Sequence, residues 1–187
     1  MPSFLFAFAG LLLTSLGNRD QLLIGSLTER LGRNSMLLFT AWSASIFSAA
    51  LMAWAGASIA ILLPVAAKNM LIAFALAIAA FELFWPVRFT PPSEPTRSLG
   101  AAFLVLLSRQ IGDAPRFLVF AFAAGTGVPW LAGLGGATGG CGALTLAWVL
   151  GDELATHWPL RIIRLIMGAI IAIAAITIGL SARGLIA

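Results

Sequence analysis

The chain has 187 residues, of which 60% are hydrophobic and 10% charged, and its mean hydropathy is +1.02. Soluble domains run near 45–50% apolar with about 25% charge, so this composition belongs to an integral membrane protein and excludes a soluble enzyme or binding module. The net charge of +4 comes from basic residues scattered through short loops and forming no patch, so it does not point to nucleic acid; the apolar composition makes the lipid bilayer the expected partner.

A bilayer is crossed by about 20 apolar residues, and the sequence predicts six such spans, all helical because lipid offers the backbone no hydrogen-bond partner. The first covers residues 3–27. Its first fourteen positions carry no charged side chain, so it reads as a retained span and not as a signal peptide. Its middle holds a polar cluster, Ser15-Leu16-Gly17-Asn18-Arg19-Asp20. The second span covers 35–57. The third covers 69–85, with Glu82 near its end, expected to form an interfacial ion pair with Arg88. A polar linker with Pro91, Pro92 and Pro95 follows over 88–97.

The fourth span, 98–124, has the costliest centre, Arg109-Gln110-Ile111-Gly112-Asp113-Ala114-Pro115-Arg116. A charge at such a depth costs roughly 2.5–3.5 kcal/mol even on a lenient scale. The fifth span, 128–150, carries Gly133, Gly135, Gly136, Gly139, Gly140 and Gly142, a spacing that favours close helix packing over a hinge. Asp152, Glu153 and His157 then form a solvated loop face, and the sixth span covers 161–182. With one His and one Cys, neither a zinc site nor a disulfide framework is expected. No GxxxxGK[ST], GxSxG or HExxH motif occurs, so neither ATP hydrolysis nor these familiar hydrolase chemistries are indicated and the chain is not read as an enzyme.

The two halves superimpose without a gap at an offset of ninety-five. Gly17 falls on Gly112, Gly32 on Gly127, Gly56 on Gly151, Pro64 on Pro159 and Asn18 on Asp113. This divides the membrane domain into a first three-helix repeat at 1–87, the linker at 88–97, and a second repeat at 98–187. Three spans per repeat invert the second half, a plan found in secondary transporters with the site near the midplane. The expected fold is therefore all-α, six transmembrane helices in two inverted-topology repeats. Arg30, Arg33, Arg88, Arg97, Arg161 and Arg164 gather on one side, and Lys68 and Arg183 on the other. The positive-inside bias makes the first side cytoplasmic and leaves both termini outside. Trp54, Trp85, Trp130 and Trp158 fall near span ends as interfacial anchors.

On the fourth span, Gln110 and Asp113 are three apart and share a helix face, as do Arg109, Asp113 and Arg116. Pro115 removes a hydrogen bond from the Ile111 carbonyl. Carboxylate, amide and freed carbonyl make an oxygen-rich patch suited to hard cations, and Gly112 admits a neighbouring helix. The competing reading is a buried bridge in which Arg109 or Arg116 neutralises Asp113. On the first span Ser15 and Asn18 share a face with Arg19, while Asp20 turns away and is expected to reach Arg116 or Arg109. Taken alone this cluster reads as interhelical hydrogen bonding, and its register with Asp113 gives equal weight to a second half of the site.

These motifs resemble those of the Golgi and bacterial manganese/calcium:proton exchangers of the Gdt type (uncharacterised protein family sixteen). That family carries Glu-x-Gly-Asp-[Lys/Arg]-[Thr/Ser] once in the first span of each repeat, and the resemblance spans essentially the whole chain. In the first copy Ser15 stands for the Glu, Gly17 matches, Asn18 replaces the Asp, Arg19 keeps the basic position and Asp20 replaces Thr/Ser. In the second copy Gln110 replaces the Glu, Gly112 and Asp113 match, Ala114 replaces the basic residue, and Pro115 replaces Thr/Ser. One of the four motif carboxylates remains, Asp113, with Asp20 added nearby.

The resemblance implies an antiporter of a divalent cation, manganese or calcium, against protons, with no resident cofactor. The ion pathway would be formed by Asp113, Gln110, Asn18, Asp20, Ser15, Arg19, Gly17 and Gly112. Asp113, Gln110 and Asn18 would be the metal ligands, and Arg109 and Arg116 charge partners. The lost carboxylates keep two alternatives open. One is a non-transporting family member acting as a structural or regulatory membrane partner, with a second copy of the chain as candidate partner. The other is a transporter of an anionic or neutral solute held by the arginines.

Overall fold

The computed structural model describes residues 2–90, 98–151 and 153–186. Most of the proline-rich linker, including Arg97, and the loop residue Asp152 lie outside them. The helices are α1 (Pro2–Ser15), α2 (Arg19–Leu31), α3 (Ser35–Leu62), α4 (Val65–Phe84), α5 (Leu99–Ile111), α6 (Ala114–Gly125), α7 (Pro129–Leu150), α8 (Glu153–His157) and α9 (Leu160–Ala182). The chain is a multi-pass, all-helical membrane protein.

The expectation of six spans in two three-helix repeats does not hold. Among the described residues four helices, α3, α4, α7 and α9, are long and apolar enough to cross a bilayer. The first and fourth expected spans are each broken in two, into α1 and α2 and into α5 and α6. The thirteen residues of α2 or of α5 make about 20 Å, against about 30 Å of hydrocarbon. With the span count, the inverted-topology argument built on three spans per repeat loses its premise.

Each break has a local cause. At the first, Gly17 takes φ +76°, the left-handed region that glycine enters without strain. Asn18 is then extended, with φ −73° and ψ 160°, at the position just before α2 begins. At the second, Gly112 keeps an ordinary φ of −98° and Asp113 is extended, with φ −88° and ψ 151°. Pro115 follows in the first turn of α6, where its missing N–H costs nothing. The same proline inside a continuous helix would have lost a bond and clashed. The chain therefore breaks instead of kinking.

The glycines of α7 serve packing, as their spacing suggests. A Cβ on Gly135 or Gly139 would run into the carbonyl oxygens of Phe4 or Phe8 on α1, and one on Gly136 into Val119 of α6. α4 and α9 pack along their length, with Gly168 against Leu83 and Phe84 and Gly179 against Ala73. Alanines dominate the buried interior, while large apolar side chains such as Phe6, Ile61, Leu62, Phe81 and Ile173 are exposed. So much apolar surface is what a lipid environment calls for. Trp54, Trp85, Trp130 and Trp158 are all exposed. Trp54 lies two turns inside α3, because that helix runs on to Leu62.

Candidate functional site

The two breaks put Asn18 and Asp113 at the starts of α2 and α6. Neither side chain caps its own helix, which leaves both to face the bundle.

Around the first break, Gln21 closes the turn. Its Oε1 accepts from Gly17 N at 2.7 Å, and its Nε2 donates to the Ala143 carbonyl of α7 at 2.9 Å. Asp20 Oδ1 accepts from Gln21 N at 2.8 Å. Its Oδ2 accepts from Gln110 Nε2 at 3.2 Å. Gln110 Oε1 in turn accepts from Arg116 Nη2 at 3.1 Å and from Ser48 Oγ at 2.9 Å. Arg116 also donates through Nε to Ser48 Oγ at 2.7 Å and through Nη2 to Ser45 Oγ at 3.0 Å. Asp20, Gln110 and Arg116 are all buried. Among the described residues no salt bridge joins Asp20 to Arg116 or Arg109; the Gln110 amide stands between Asp20 and Arg116 and bonds to each.

The second cluster centres on Arg164, which is 3% exposed. It donates through Nη1 to Asn18 Oδ1. Through Nη2 it donates to Glu82 Oε1 and to the Glu82 carbonyl, each at 3.0 Å. Glu82 Oε2 accepts from Ala114 N, the first residue of α6, at 3.3 Å. Arg164 is therefore not a loop residue. It sits one turn inside α9, which begins at Leu160 and packs on α4. The expected pair of Glu82 with Arg88 gives way to Glu82 with Arg164, and Arg88 is exposed.

Gln110 and Asp113, expected on one helix face, lie on either side of the break, and the Arg109, Asp113, Arg116 face is divided in the same way. Arg109 is half-buried, Arg19 is exposed and Arg116 is buried. Among the described residues no salt bridge joins Asp113 to Arg109 or Arg116, and Asp113 Oδ2 is buried without a hydrogen-bond partner. Asn18 Nδ2 is likewise buried and unpartnered. Ser15 is buried at the end of α1, its carbonyl accepting from Asn18 N at 3.1 Å. Gly112 does not mark a close approach, since a Cβ there would meet nothing within 4 Å. Gly17 does, with Leu160 Cβ at 3.0 Å.

Among the described residues no three His, Cys, Asp or Glu side chains gather to hold a metal ion. Of the three expected ligands, Gln110 Oε1 and Asn18 Oδ1 already accept from arginines, and Asp113 offers the unengaged oxygen. Ser45, Ser48, Gln21 and Arg164 were not anticipated as members. Their signals were present: two serines three apart on one apolar helix, and an arginine inside an apolar run. No protein-family model, no curated protein and no solved structure matches the chain.

Proposed function

We propose that this protein is a secondary transporter that exchanges a small metal cation for protons, with Asp113 holding cation and proton in turn. The observation that carries the reading is Asp113 Oδ2, a carboxylate oxygen inside the bundle with no hydrogen-bond partner. Burying an ionised oxygen alone is costly. A proton or a cation removes the cost, and the two compete for the same atom. Such competition is the elementary requirement of antiport. Broken helices near the middle of a bundle supply ion sites of this kind in transporters. The resemblance to the Gdt-type exchangers implies the same chemistry, with manganese or calcium as cargo and Asp113 as the retained motif carboxylate.

Orientation follows from the basic residues. Arg33 Nη2 donates to the Val149 carbonyl at 2.9 Å, so the turn after α2 and the end of α7 share one face. Arg30 and Arg33 belong to that face, which the positive-inside bias makes cytoplasmic.

The test is manganese and calcium uptake into proteoliposomes under an imposed pH gradient. Uptake in the wild type, abolished by Asp113→Asn, is the expected result. No uptake by folded protein overturns it and leaves a structural or regulatory membrane partner. A second reading, transport of an anionic solute, draws on the half-helix N-termini at Arg19 and Ala114 and on the buried Arg116 and Arg164. Anion uptake that survives Asp113→Asn would favour it.

A further inference from the structure

Between α3 and α7 an apolar groove of about 520 Å³ opens on the outer surface of the bundle. Gly133 and Ala53 set its floor, where the helices approach so closely that a Cβ on Gly133 would stand 3.0 Å from Ala53 Cβ. Trp54 and Trp130 flank it and are 68% and 63% exposed. On α3 the lining runs from Ile46 to Ala57, a rise of about 16 Å. That is close to half of a hydrocarbon core of about 30 Å. Ile46 lies near the middle of α3, so the groove is one leaflet deep.

Toward the end of α3 the groove continues into a smaller cavity of about 250 Å³, since Ala57 and Pro129 line both. The smaller cavity reaches Ile61, next to the last residue of α3, and Lys68, in the first turn of α4. Among the described residues no salt bridge and no side-chain hydrogen bond engages Lys68. The described carboxylates stand elsewhere. Asp20, Glu82 and Asp113 belong to the two helix breaks and the clusters around them, and Glu29 and Glu153 line a cavity with Arg33 at the opposite face. The other described charge on the Lys68 face is Arg183, just past the end of α9.

We infer that this groove binds one phospholipid with an anionic headgroup, its acyl chain along α3 and α7 and its phosphate at Lys68. The depth fits a chain from a single leaflet. The phosphate meets an unbalanced ammonium, which near an anionic lipid surface is worth about fivefold in binding. A choline or ethanolamine group meets no carboxylate, so a net negative headgroup is preferred to a zwitterionic one. A second copy of the chain fits less well. A floor of small residues can seat a helix, but a two-fold contact through this face sets Lys68 beside Lys68 with no acid between them. The site is independent of what the protein transports.

The test uses the full chain in liposomes containing phospholipids brominated at mid-chain, which quench an indole that they touch. Four of the six tryptophans lie elsewhere, so the Trp54→Phe, Trp130→Phe double variant supplies their background. At equal mole fraction, brominated phosphatidylglycerol is expected to occupy the groove about fivefold more readily than brominated phosphatidylcholine. Lys68→Gln should abolish the preference. Ala50→Phe, at an exposed position of the lining, fills the groove, keeps Lys68 and should abolish it too. No preference in the wild type, or a preference that survives Lys68→Gln, overturns the inference. A preference lost in Lys68→Gln but kept in Ala50→Phe overturns it as well, because the charge then acts without the chain. Quenching by neither lipid, with cross-links between copies at this face, overturns it and assigns the groove to a second copy.

Discussion

Gln110 Nε2 donates to Asp20 Oδ2 at 3.2 Å, and through that amide a carboxylate of α2 is joined to a guanidinium of α6. Gln110→Leu leaves Asp20 Oδ2 without its donor and Arg116 Nη2 without one of its acceptors. Two such buried losses are expected to cost about 3 kcal/mol together. Thermal unfolding in detergent measures it. Ser45→Ala removes one neutral acceptor from Arg116 and should cost about 1 kcal/mol.

Glu82 separates the two ion pairs offered for it. Because its partner is the buried Arg164, Glu82→Leu strands a guanidinium inside the bundle and should cost about 3–5 kcal/mol. Arg88→Ala at an exposed position should stay within about 0.5 kcal/mol. The reverse order in unfolding measurements would return Glu82 to the interface.

The glycines at the two breaks should respond differently to one methyl group. Gly17→Ala meets a left-handed φ and Leu160 at 3.0 Å, and the conformation alone costs about 1–2 kcal/mol. Gly112→Ala meets an ordinary φ and open space, and should be tolerated within about 0.5 kcal/mol. Equal losses at both positions would contradict the two backbone geometries.

Asp113→Asn should separate stability from activity. Its Oδ2 has no hydrogen bond to lose, so the unfolding free energy should change by less than about 1 kcal/mol. Cation uptake should nevertheless disappear. A variant that unfolds as it loses uptake would mark Asp113 as a structural residue.

Hydropathy located the helix ends of α7 and α9 to within a residue, because long apolar runs bounded by Gly151, Pro129 and Pro159 leave little freedom. It does not show either break, because a window of about twenty residues averages over a turn of two or three. Gly17-Asn18 and Gly112-Asp113-Ala114-Pro115 carry every residue type that stops one helix and starts another. Read as ligands alone, their backbone meaning was lost, and with it the faces assigned to Gln110, Asp113 and Arg116. The charge balance of Asp20 with Arg116 or Arg109 points across the bundle, but not to the Gln110 amide that stands between Asp20 and Arg116. Arg164 falls inside the expected sixth span, but counting it with the loop arginines hides its place in the bundle, where it holds Glu82.

The dependence of α2 on α7 bears on how the chain is made. α2 is short and carries Arg19, Asp20, Glu29 and Arg30, too polar a segment to settle in lipid by itself. The donor end of Gln21 finds its acceptor at Ala143, a residue synthesised more than a hundred positions later. Until α7 leaves the ribosome, α2 has to wait at the membrane surface or inside the insertion machinery. Nascent chains halted before Ala143 should therefore hold α2 accessible to aqueous labelling at an engineered cysteine, and chains extended beyond α7 should protect it.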